Sequence, residues 1–201
     1  MKKSFLTMLF VAVALLFGVA SCKCTSDVPT DAAGLVLENT VSTDREDMFL
    51  NHGPIYVYFE STVVLKNFLD EEECDGSIES ITNVFQTIRE ESETVIDTDV
   101  VIFTHTEVSD STQVIPHEMW LEDCKLDDEE INLTFAEAYE RFMEADCPKP
   151  HSQYAVLRKP IGPEETNALY IFGNEAEHWF VDAKTGDVFS EDPGFEWFKK
   201  D

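Results

Sequence analysis

A helix written to be buried, followed at once by strands, limits the fold of this chain more than any other feature. Thr134 followed three positions later by Glu137 is a capping box, in which each residue's side chain closes a backbone amide left open at a helix start. Phe135, Ala138, Tyr139, Phe142 and Met143 then recur at helical spacing, a stripe wide enough to need a sheet beneath it. The segments 154–159, 168–172 and 178–182 read as strands, with a short last one at 187–190. Pro160-Ile161-Gly162-Pro163 and Gly173-Asn174 separate them, and Gly186 stands where a tight turn needs a positive φ. The expected class is α+β, with a helix packed on an antiparallel β-meander over residues 123–201.

The region 48–122 reads differently. Ile55, Val57 and Phe59 alternate with Tyr56, Tyr58 and Glu60, the period of a half-buried strand. Ser61 as N-cap, with Val64, Leu65, Phe68 and Leu69 on one face, predicts a helix that stops at Glu71-Glu72-Glu73 and Asp75-Gly76. A second helix is predicted from Ser77, with Ile78, Ile81, Val84, Phe85 and Ile88 inward. A strand over 95–108, a polar turn at 109–112 and a strand at 113–115 complete a strand-helix-helix-hairpin order. The triple glutamate lacks the spaced oxygen ligands of a calcium loop and reads as a solvated bend.

The N-terminus carries an address. Lys2 and Lys3 precede an apolar run over 5–19, shorter than the roughly 20 residues a membrane-spanning helix requires. Val19-Ala20-Ser21-Cys22 resembles the lipobox of bacterial lipoproteins. That resemblance implies a signal peptide over 1–21, cleavage before Cys22 and lipidation of Cys22 with palmitate-type chains. It places the protein in the bacterial cell envelope, anchored by lipid to a membrane, with the outer membrane expected. Residues 22–47, rich in Thr, Ser and Asp, read as a flexible tether.

With 41 acidic and 14 basic residues the net charge is −27. Such a surface repels phosphate backbones, so nucleic acid is excluded as a partner, and membrane attachment must come from lipid. It favours a basic partner, or serves solubility alone. Five cysteines are present. With Cys22 lipidated, four remain and permit three connectivities in an oxidising compartment. Cys124 and Cys147 bracket the predicted helix and are the candidate disulfide; no Cys-x-x-Cys spacing suggests a redox or zinc site.

Chemistry is hard to find. His52, His105, His117, His151 and His178 are scattered, and only His105 and His117 could meet, across the predicted hairpin. There is no Gly-x-Ser-x-Gly elbow and no Ser-x-x-Lys. The reading is a non-enzymatic protein with no catalytic residue, no metal site and no cofactor. Trp120, Tyr170, Trp179 and Phe180 are expected in core and sheet.

Trp179-Phe180-Val181-Asp182-Ala183-Lys184-Thr185-Gly186-Asp187-Val188 resembles the closing hairpin of PepSY-type domains, and Leu133-Thr134-Phe135-Ala136-Glu137-Ala138-Tyr139 is similar to their opening helix. Arg158-Lys159-Pro160 and Tyr170-Ile171-Phe172-Gly173-Asn174 resemble a recurrent Bacteroides-type lipoprotein family. The PepSY resemblance implies a secreted, non-catalytic module binding a protein or peptide partner, with restraint of a peptidase in trans as one form. An acidic domain of this shape also resembles immunity proteins that neutralise basic toxins.

Overall fold

The computed structural model describes residues 34–66, 75–92, 95–120, 124–145, 152–160, 167–174 and 177–190. The fold is α+β: one eight-stranded antiparallel sheet with two helices on one face. In chain order the elements are α1 (Leu37–Asp47), a π-helical turn (Met48–His52), β1 (Tyr56–Leu65), β2 (Ile78–Thr87), β3 (Arg89–Ser92) and β4 (Val95–Asp97). Then come β5 (Asp99–Thr106), β6 (Asp110–Pro116), a short 3-10 turn (Asp128–Glu130), α2 (Phe135–Glu144), β7 (Tyr154–Arg158), β8 (Leu169–Asn174), β9 (Glu177–Asp182) and β10 (Val188–Phe189). The large sheet runs β10-β9-β8-β7-β1-β2-β5-β6, and β3 and β4 form a separate small hairpin.

The described residues between 124 and 190 form the helix and the antiparallel meander expected of them. Thr134 Oγ1 accepts the Glu137 N–H at 3.2 Å while Glu137 accepts the Thr134 N–H at 2.8 Å. Phe135, Ala138, Tyr139 and Phe142 are buried, and Phe142 stacks on Phe172 of β8 at 4.7 Å between ring centres. The closing turn is held by Asp182, whose Oδ1 accepts the N–H groups of Lys184 and Thr185, each at 2.8 Å. Gly186 sits at φ +79° with its N–H on the Asp182 carbonyl.

The first half corrects the expectations. Residues predicted as helices from Ser61 and from Ser77 are the long strands β1 and β2, paired with each other from Tyr56↔Thr87 to Leu65↔Ile78. Phe68 and Leu69 lie outside the described residues. β2 is buried on both faces from Asn83 to Thr87, so its apolar residues lack clean alternation and mimic helical spacing. The β-branched and aromatic content of Val57, Tyr58, Phe59, Thr62, Val63, Val64, Ile81, Thr82, Val84 and Phe85 was the better guide. A bulge at Phe59 resets which side chains face inward: Tyr58 before it and Ser61, Val63 and Leu65 after it lie on the helix side. Gly76 enters β2 against the Tyr139 ring, where a Cβ would lie 2.8 Å from Cδ1.

The proposed tether over 22–47 is also corrected, for residues 37–47 are α1 and its Leu37 and the following Met48 are fully buried. The two halves share one sheet. β7 pairs directly with β1, from Glu60↔Arg158 to Val64↔Tyr154. Each half is a helix followed by four antiparallel strands, α1-β1-β2-β5-β6 and α2-β7-β8-β9-β10, joined through their first strands. The arrangement is a pseudo-two-fold about the Thr62↔Val156 pair.

Truncating Phe142→Ala removes the ring that α2 stacks on the sheet and should cost about 3–5 kcal/mol, read from urea unfolding. Thr134→Ala removes the cap and should cost about 1 kcal/mol by the same measurement.

Candidate functional site

The inward stripe of α1 is Leu37, Thr40, Asp44 and Met48, and two of these four are polar. Beneath them the sheet offers Ser61 of β1, Asn83 of β2 and His105 of β5, all buried. Asn83 Nδ2 donates to Asp44 Oδ2 at 2.6 Å and to Thr40 Oγ1 at 3.3 Å. Ser61 donates to Asn83 Oδ1, and the Tyr58 hydroxyl lies 2.6 Å from Ser61 Oγ. Because Asp44 only accepts when ionised, the chain has one consistent sense: Tyr58 to Ser61 to Asn83 to Asp44. Thr40 closes its own account on the Leu37 carbonyl at 2.8 Å.

His105 joins this chain to the surface. Its Nε2 lies 2.9 and 3.1 Å from the two Asp44 oxygens, and its Nδ1 lies 3.0 Å from Asp110 Oδ1 on β6. The Asp44 side chain is 2% exposed, whereas that of Asp110 is 73% exposed. Burial raises the Asp44 carboxyl above its ordinary value, opposed by the hydrogen bonds from Asn83 and His105. Burial likewise pushes the Tyr58 hydroxyl well above an ordinary phenol.

Two further contacts tie α1 to the second half. Arg45 forms a two-oxygen ion pair with Asp128 and lies over the Tyr58 ring, 5.4 Å from its centre. The hydrogen bond from Arg45 holds the Asp128 carboxyl below its usual range. Glu38 accepts the Phe135 N–H at 2.6 Å, so an α1 carboxylate closes the N-terminus of α2.

Ser61 is fully buried and donates its proton to Asn83. His105 and His117 do not meet: His105 pairs beside the β5–β6 turn, and His117 follows Pro116 at the other end with Nδ1 2.8 Å from Asp97. Among the described residues no three His, Cys, Asp or Glu side chains form a metal-binding group. On the opposite face a cavity of about 240 Å³ is lined by Phe59, Glu60, Met119, Trp120, Cys124 and Arg158. Burial raises the Glu60 carboxyl there, with Arg158 opposing.

Cys124 is buried in that wall, while Cys22 and Cys147 lie outside the described residues. No residue of the buried network except His105 was legible as a candidate. Asp44 falls in a stretch that reads as tether and Ser61 in one that reads as a helix cap. An acid at the seventh position after Leu37, where α2 carries Phe142, was the available signal. Compared with protein-family models, curated proteins and solved structures, the chain gives no match.

Asn83→Ala takes the acceptor from Ser61 and one donor from Asp44 and should cost about 1–3 kcal/mol in urea unfolding.

Proposed function

We propose that the protein is a lipid-anchored component of the bacterial envelope that presents a non-catalytic, PepSY-like module to a protein or peptide partner, with restraint of a peptidase in trans as the fitting role. The observation that carries the reading is a cluster in sequence of large apolar side chains held out in solvent. Phe49 is 59%, Leu50 68% and Ile55 56% exposed, in a chain of net charge −27. They are not on a loose segment. The preceding Met48 is fully buried, His52 lies edge-on to Phe103, and Gly53 closes the π-helical turn onto the Met48 carbonyl. A rigid turn that exposes apolar groups loses little entropy on binding, which is what a contact surface needs.

The second half supports the PepSY-like reading by its order of helix, meander and closing hairpin. The Val19-Ala20-Ser21-Cys22 motif supports the lipid anchor, and among the described residues no helix is long and apolar enough to cross a membrane. The acidic surface favours a basic face on the partner.

Two measurements test this. A photo-crosslinker at Leu50 of the full-length protein in cells should give a discrete adduct that a crosslinker at exposed Glu129 does not, and Phe49→Asp with Ile55→Asp should reduce it about tenfold or more. Cys22→Ser should abolish palmitate labelling and release the protein from membranes; a variant that stays membrane-bound would refute the anchor.

A further inference from the structure

The pseudo-two-fold makes each half a control for the other. Register places Ser61 where the second half has Ala155, Asn83 where it has Phe172, His105 where it has Val181, and Asp110 where it has Val188. On the helices, Leu37, Thr40, Val41 and Asp44 carry the spacing of Phe135, Ala138, Tyr139 and Phe142. The contacts agree independently: Asp44 bonds Asn83, and Phe142 stacks on Phe172. Thr40, Asp44, Ser61, Asn83 and His105 therefore each stand where the same architecture elsewhere uses an apolar residue. The fold does not require a carboxylate and an imidazole at these positions, and burying them is costly compared with packed apolar groups.

We propose that Asp44, His105 and Asp110 form a proton-operated latch that holds α1 and the π-helical turn on the sheet and loosens them as pH rises. The imidazolium donates from both nitrogens and so serves both carboxylates. Neutral imidazole has one N–H, and one carboxylate then faces a lone pair. If that carboxylate is Asp44, a buried charge loses a donor, which is the expensive outcome. Asp110, open to solvent, gives the proton its route in and out.

The other groups around the latch do not replace that donor. Asn83 of β2 already donates to Asp44, the Thr40 hydroxyl is spent on the Leu37 carbonyl, Tyr58 and Ser61 are committed to the chain, and Arg45 is turned to Asp128. Asp47 adds negative charge nearby. Burial raises the Asp44 carboxyl, so its ionised form costs stability as pH rises above the ordinary aspartate range, and the donors that meet it, His105 among them, offset that cost. Asp128, lowered by Arg45, acts oppositely and only at acid pH. The consequence for Phe49 and Leu50, which follow α1 directly, rests on the contact role proposed above; the latch itself does not.

The test is amide hydrogen exchange on the intact protein, corrected for intrinsic rates, reading α1 against α2 in the same molecule. Between about pH 5.5 and about pH 8.5 the ratio of α1 to α2 protection should fall about tenfold or more. A ratio that stays constant overturns the proposal. Replacing the network with apolar groups of the second half's kind, Asp44→Leu, Asn83→Leu, Ser61→Ala and His105→Val together, should fold and flatten the response. Should that variant not fold, exposed Asp110→Asn must shift the midpoint of the α1 response, and an unmoved midpoint counts against the latch. His52→Gln is the control for the other imidazole of this segment, 3.6 Å from Asp47, and must leave the response in place.

Discussion

The pairing of β1 with β7 is the contact on which the rest of the architecture depends. Without it there would be two four-stranded sheets, each with an open edge of unpaired backbone groups at its first strand. With it, those two edges are consumed against each other and the helix-side residues form one continuous cluster from Phe103 to Val181. The register is specified because Ser61, Val63, Ala155 and Leu157 must all point beneath the helices, and a slip of one residue would turn them outward. The remaining edges are the two-residue β10 and the solvent-exposed β6, which begins with an acid and ends in a proline, both poor templates for further pairing.

Two halves of one design are held together by different physics. α2 lies on aromatic rings, where Phe135, Tyr139, Phe142 and Phe172 contact one another at centroid distances of 4.7–6.4 Å. Packing of that kind is insensitive to pH and tolerant of small shifts. α1 lies instead on a directional network in which each donor has a designated acceptor. Such a network specifies one position of the helix sharply while its members keep their protons, and gives it up more readily when they do not.

How much of this was legible from sequence follows the same division. The second half was read element by element because its signals are local: a capping box, a stripe at helical spacing, a turn that needs glycine at position 186. The first half defeated the same approach for two physical reasons. β2 is buried on both faces from Asn83 onward and β1 is broken by the bulge at Phe59, so period two is lost and Ile78, Ile81, Val84 and Phe85 imitate a helix. Its helix buries Thr40 and Asp44, so a test for apolar residues passes over it. The partners that make those residues acceptable, Asn83 and His105, lie 39 and 61 positions away along the chain. No local pattern carries that information.

The reach of α1 also says something about the order in which the chain can fold. Glu38 closes the first turn of α2 from 97 positions upstream, and Arg45 is matched by Asp128 from 83 positions upstream. β1, at the middle of the sheet, waits for β7 for its second partner. A chain with these dependencies stays open until most of it has been synthesised, since neither half can close its edge alone.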